Sequence, residues 1–143
     1  MASCRDHSVV LVIDDDHMVN KTIAVLLTEM GYAVFSASSG EEALEKYKDH
    51  LEDIDLFLID MIMPGMSGGE LYTRIKQLKP TAKAILCSGY SIDERIQDIM
   101  NQGCNGFLEK PFNLSKLLEM IEWILNDRNN MTRQKQQMFG RVK

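Results

Sequence analysis

Apolar runs of strand length alternate with segments of helical period along most of this chain. Val9-Val10-Leu11-Val12-Ile13 is the first run, and its unbroken apolar character predicts a strand buried on both faces. A helix is predicted over 17–30, with Val19, Ile23, Leu26, Leu27 and Met30 on one face and Gly31 stopping it. Residues 32–37 alternate more and read as an edge strand. Ser39 and Glu42 form a capping box for a helix running to about residue 48. Residues 54–59 form a third strand. A Pro/Gly loop follows over 63–69, then a helix over 70–78 with Leu71, Ile75 and Leu78 inward. A fourth strand is predicted over 82–87, a helix capped by Ser91, a short fifth strand over 106–109, and a last helix capped by Asn113 whose buried stripe is Leu114, Leu117, Leu118, Ile121, Ile124 and Leu125.

Five repeats of strand then helix imply a parallel sheet with right-handed crossovers, a single doubly wound α/β domain over residues 8–126. The most apolar strands, the first and third, belong at the centre, which gives the order 2-1-3-4-5. In open sheets of this kind ligands bind at the carboxyl ends of the strands, where the strand order reverses. The first strand runs into Asp14-Asp15-Asp16 and the third into Asp60, so both acidic groups converge on that point. Residues 127–143 carry few aliphatic side chains and five cations, and are expected to be a basic tail, either a helix extension or disordered.

Composition narrows the class. Apolar residues make up 45% and charged residues 26% of 143, as in an ordinary globular domain. A net charge of −5 argues against a general affinity for nucleic acid. Three cysteines, Cys4, Cys87 and Cys104, show no metal spacing and suit a reducing cytoplasm. No run is long enough to cross a membrane, and residues 1–8 lack the apolar stretch of a signal peptide.

Carboxylates crowded at one point repel one another unless a cation neutralises them. Asp14, Asp15 and Asp60 offer hard oxygen ligands suited to Mg²⁺. Ser88, after the fourth strand, and Lys110, after the fifth, fall on the same side. A hydroxyl can donate to a phosphoryl oxygen, and a lysine can pair with carboxylate or phosphate. The Lys110–Pro111 bond lies at a tight turn and is a candidate for the cis form. These parts suit phosphoryl transfer to a carboxylate. Asp60, followed by the Pro/Gly loop, is the better nucleophile, and Asp14 and Asp15 the better metal holders. Asp16 reads as a helix N-cap, and His17 as a solvated helix start.

Val-Ile-Asp-Asp-Asp, Leu-Ile-Asp-Met-Ile-Met-Pro-Gly-Met-Ser-Gly, Cys-Ser-Gly-Tyr and Glu-Lys-Pro-Phe, in this order, resemble the receiver domain of two-component response regulators over about residues 8–126. The resemblance implies a flavodoxin-like, CheY-like fold. It implies that Asp60 accepts a phosphoryl group from a phosphohistidine on a histidine kinase or phosphotransfer domain. Asp15, Asp60 and the backbone carbonyl of Ile62 would ligate Mg²⁺, with Asp14 acting through water. Ser88 would bond the phosphoryl group, Lys110 would pair with it, and Phe107 would rotate inward as Ser88 moves. The face formed by the fourth helix, fifth strand and fifth helix would then change shape. An output partner, or a second copy of the chain forming a homodimer, would read it. Phe107 has no hydroxyl, so that readout must be one of packing. Bulky Ile62 and Tyr90 flank the approach of hydrolytic water, which predicts slow loss of phosphate.

The expected role is thus a signalling module, catalysing only its own phosphorylation and dephosphorylation. The alternative, an aspartyl-phosphate hydrolase of the haloacid dehalogenase type, needs its nucleophile on the first strand and an acidic pair after its lysine. Pro111-Phe112-Asn113 follows Lys110 instead. A receiver used only for docking would not need the acidic group. No DNA-binding effector is recognised after residue 126, so the expectation is a free-standing receiver or one cut from a larger protein such as a hybrid histidine kinase, whose receivers the wording of the loops resembles.

Overall fold

The computed structural model describes residues 8–89 and 94–126. The expected cap Ser91, Tyr90 beside the site, and the 127–143 tail lie outside them. The chain divides into two units, Met1–Pro111 and Phe112–Lys143.

The first unit holds β1 (Val9–Ile13), α1 (His17–Glu29), β2 (Ala33–Ala37), α2 (Gly40–Tyr47), β3 (Leu56–Asp60), α3 (Gly68–Leu78), β4 (Ala84–Ser88), α4 (Glu94–Asn101) and β5 (Gly106–Glu109). All strand pairs are parallel, in the order β2-β1-β3-β4-β5. This is the predicted flavodoxin-like order. Alternation along each strand sends Leu11, Ile13, Phe57, Ile59, Ala84 and Leu86 to one face. There they join Ala43 of α2, Leu71, Tyr72 and Ile75 of α3, and Ile96 and Ile99 of α4 in one core. The alternate residues, such as Val10, Val12, Leu56 and Leu58, are equally buried. α1 packs on β1 and β2 and buries Ile23 and Leu27.

The second unit contains α5 (Leu114–Leu125). Asn113 Oδ1 accepts from the Lys116 amide at 2.7 Å and caps it as predicted. Leu117, Ile121 and Ile124 are its buried stripe, while Leu114, Leu118 and Leu125 are only half-buried.

Some expectations need correction. Met30, which follows the last residue of α1, and Leu78, the last residue of α3, are more than half exposed, since helix ends bury less than their middles. α3 starts at Gly68, so two glycines assigned to the loop open the helix instead. Ser67 caps it, its Oγ accepting from the Glu70 amide. Residues Lys48–Asp53 form a 3₁₀ helix that the apolar pattern did not signal. Lys79, at the end of α3, folds back over it, and Nζ donates to the carbonyls of Leu51 at 2.9 Å and Ile54 at 2.6 Å. The lysine thereby adds a second donor to the Leu51 carbonyl, which also accepts from the Ile54 amide, and ties the end of the 3₁₀ segment to α3.

Candidate functional site

The parallel register brings four strand ends to one place. β1 ends opposite Ala37 and Ile59, and Asp60 sits opposite Cys87. Ser88 lies opposite Glu109, with Lys110 next in the chain. Oxygens of Asp14, Asp15 and Asp60 all lie within 4.8 Å of one another. Asp14 and Asp60 are buried and Asp15 is exposed. Lys110 Nζ reaches Asp14 Oδ2 at 3.0 Å and Asp60 Oδ1 at 3.4 Å. The Lys110–Pro111 peptide is cis. Ser88 is fully buried at the end of β4, and its carbonyl accepts from the Lys110 amide at 2.6 Å.

Local structure fixes each group. Asp16 caps α1, its Oδ1 accepting from the Met18 and Val19 amides. The Asp16 amide in turn donates to Asp14 Oδ1 at 2.9 Å. After Asp60 the chain stays on the sheet, because the Met61 amide donates to the Cys87 carbonyl at 2.7 Å. Met61 and Met63 pack beneath the loop, while the Ile62 side chain between them is about half exposed. Gly65 turns the loop with φ +80°. The Met66 amide is held by Glu41 Oε2 from the start of α2. At Gly68 a Cβ would lie 2.3 Å from the Asp60 carbonyl oxygen, so only glycine lets α3 start this close to the site. Phe107 is half-buried in β5 and packs against the core, on the site side of Gly106.

The electrostatics of the cluster favour a bound cation. Burial, then the neighbouring charge of Asp14, pushes the Asp60 carboxyl up to about 6, although Lys110 pulls it down. Burial works against the charge of Lys110, but its hydrogen bond to Asp14 and the charges of Asp60 and Asp14 hold the ammonium above its ordinary range. One lysine faces three carboxylates, so the cluster retains a negative surplus. Three hard oxygen donors, one of them solvent-facing, fit a divalent cation that keeps several waters.

Sequence reasoning located Asp14, Asp15, Asp60, Ser88 and Lys110 at adjoining strand ends, and the structure places them there. It missed Asn20 and Glu41, which hold the surrounding backbone. A signal for Asn20 exists: it shares the buried stripe of α1 with Ile23 and Leu27.

The profile of the family described as the response regulator receiver domain matches residues 10–122. The chain belongs to this family. It is 34% identical over 118 residues to the chemotaxis protein CheY of Bacillus subtilis, covering 82% of this chain and 97% of that protein. It is 33% identical over 116 residues to the sensor kinase CckA of Brucella abortus, covering 81% of this chain but 12% of the kinase. Among solved structures, CheY of Borrelia burgdorferi in the CheX–CheY–BeF3–Mg²⁺ complex superposes with a TM-score of 0.78 at 28% identity, over 85% of this chain and 91% of that one. No helix among the described residues is long and apolar enough to cross a membrane.

Proposed function

We propose that this receiver is a phosphoacceptor module of a two-component phosphorelay, in which Asp60 takes a phosphoryl group from a partner phosphohistidine with Mg²⁺ at the carboxylate cluster. The observation that carries this reading is the convergence of three carboxylates and one lysine at the strand ends, with Asp60 alone followed by an open loop. Asp15 and Asp60 would hold the cation directly, with the Ile62 carbonyl, and Asp14 would act through water. The bound ion supplies positive charge to the transferring oxygens.

The chain's own groups do the rest. An Asp60 oxygen attacks phosphorus in line and the phosphohistidine nitrogen leaves. Only an ionised carboxylate is nucleophilic; burial and Asp14 raise the Asp60 carboxyl without metal, and Lys110 and a bound cation favour its ionised form. Lys110, now 3.4 Å from Asp60 and 3.0 Å from Asp14, pairs with the new phosphate oxygens. Ser88 donates its hydroxyl to another of them. Ser88 and Phe107 lie on adjacent strands, Phe107 opposite Leu86, so movement of Ser88 would draw on Phe107 and alter the surface around α4 and β5. The chain would catalyse only its own phosphorylation and dephosphorylation, with a histidine kinase or phosphotransfer domain as donor and an output protein as reader.

Incubation with a small phosphodonor tests the reading. With Mg²⁺ the chain should gain one phosphoryl group, and Asp60→Asn should gain none. Equal labelling of both proteins, or labelling unaffected by removing Mg²⁺ with a chelator, would overturn it.

A further inference from the structure

Asn20 is one of few buried polar side chains among the described residues, and it lies on the inward face of α1 rather than at a surface. Both hydrogens of its amide are used. Nδ2 donates to the Asp14 carbonyl at 3.1 Å and to the Ala37 carbonyl at 2.9 Å. The Ala37 carbonyl also accepts from the Asp14 amide at 3.2 Å, so both of its acceptor positions are filled. Ile13 and Ala37 are the last paired residues of β1 and β2. Beyond them the ladder stops, and the Asn20 amide continues it by one peptide.

That peptide joins Asp14 to Asp15. The two carboxylates are held differently. Asp14 is fixed through its own side chain, by the Asp16 amide and by Lys110 Nζ. Asp15 is exposed, and among the described residues its carboxylate makes no ion pair or hydrogen bond. Its direction therefore depends on the backbone that carries it. The carbonyl end of that backbone peptide is held by Asn20.

We infer that Asn20 is a positioning residue of the cation site: its side-chain amide locks the Asp14–Asp15 peptide to the end of β2 and so aims the Asp15 carboxylate. The inference rests on the cation reading proposed above and adds a residue that touches neither cation nor phosphate. A ligand oriented by fixed outer hydrogen bonds binds a metal more tightly than one that must be ordered on binding, typically by about 10-fold or more. Aspartate would set a carboxylate against two carbonyls, and leucine would take the side-chain donor from the Asp14 carbonyl and leave the Ala37 carbonyl with the Asp14 amide alone.

The test compares Mg²⁺ affinity by calorimetry in the unaltered 143-residue chain, Asn20→Leu, Asn20→Ser and Asn105→Ala. Asn105 is the control, because its Oδ1 accepts from the Ala84 amide at 2.9 Å at the opposite end of β4, far along the strand from Ser88. Both Asn20 variants should bind Mg²⁺ about 10-fold more weakly, while Asn105→Ala melts earlier with its affinity unchanged. Serine, small enough to admit a water, keeps the test open if leucine prevents folding. Without metal, the Asp15 amide resonance should broaden in Asn20→Ser and stay sharp in Asn105→Ala. Unchanged Mg²⁺ affinity in Asn20→Ser, or an equal loss in Asn105→Ala, would overturn the assignment. A wild-type chain that binds no Mg²⁺ would instead remove the cation reading itself, a result distinct from either.

Discussion

At the residue scale the site is a compromise between chemistry and stability. Asp60 is buried beside another carboxylate, and its acidity is weakened accordingly. A carboxyl raised in the folded state stabilises the protein fully below its unfolded value near 4, and that contribution is lost as pH rises through about 6. Asp60→Asn removes the titration. It should therefore stabilise the metal-free chain at pH 7.5 by on the order of 2 kcal/mol, which raises the melting temperature by about 6 °C, with the gain vanishing near pH 4. Thermal melts across that range check it, and an equal gain at pH 4 would argue that charge is not the cause. Lys79 is the converse case, a buried cation that serves only structure. Lys79→Met removes the side-chain donor from the Leu51 and Ile54 carbonyls, Leu51 keeping only the Ile54 amide, and should destabilise the chain by about 2 kcal/mol in urea titrations, while Asp60 labelling is retained. Ile62 stands half exposed two residues after Asp60. Replacing it with a small polar residue should speed loss of phosphate by admitting water, read as the decay of labelled protein after the donor is removed.

At the element scale, position follows from a few close approaches. The first turn of α3 lies directly on the backbone of Asp60 because residue 68 has no side chain. Gly68→Ala should cost about 1–3 kcal/mol by overpacking and slow Asp60 labelling more than it lowers stability would suggest. A labelling rate equal to wild type would show that α3 does not need this seat. Strand order and the inward faces of the helices were legible beforehand, because apolar runs such as 9–13 and 54–59 carry a strong signal and each ends at aspartate. The 3₁₀ turn over Lys48–Asp53 was not. Its only internal signal is a short polar stretch, and its support comes from a lysine some 26 residues away in sequence, since Lys79 Nζ also approaches Glu52 at 3.5 Å, 27 positions distant. The start of α3 was misjudged for a related reason: glycine discourages a helix locally, and only the contact with Asp60 explains its presence there.

At the scale of the whole molecule, the chain is a receiver with an acidic surplus at its strand ends and a net charge of −5. Five strand-end residues of the candidate site could be named from sequence because each terminates a recognisable run. Asn20 was missed: its place on the inward stripe of α1 marks it as buried, but its two hydrogen bonds cross a corner that no one-dimensional pattern displays. The negative surplus also predicts how the molecule responds to its surroundings. Mg²⁺ affinity should rise with pH up to about 6 and level off above it, as Asp60 ionises. The most direct measurement is the location of the transferred group. After reaction with a phosphodonor, borohydride reduction converts an aspartyl phosphate to homoserine, and peptide mass analysis identifies the residue. Homoserine at position 60, formed with Mg²⁺ and absent when the ion is chelated, is the expected result. Homoserine at Asp14 or Asp15, or phosphate on another residue type, would contradict it.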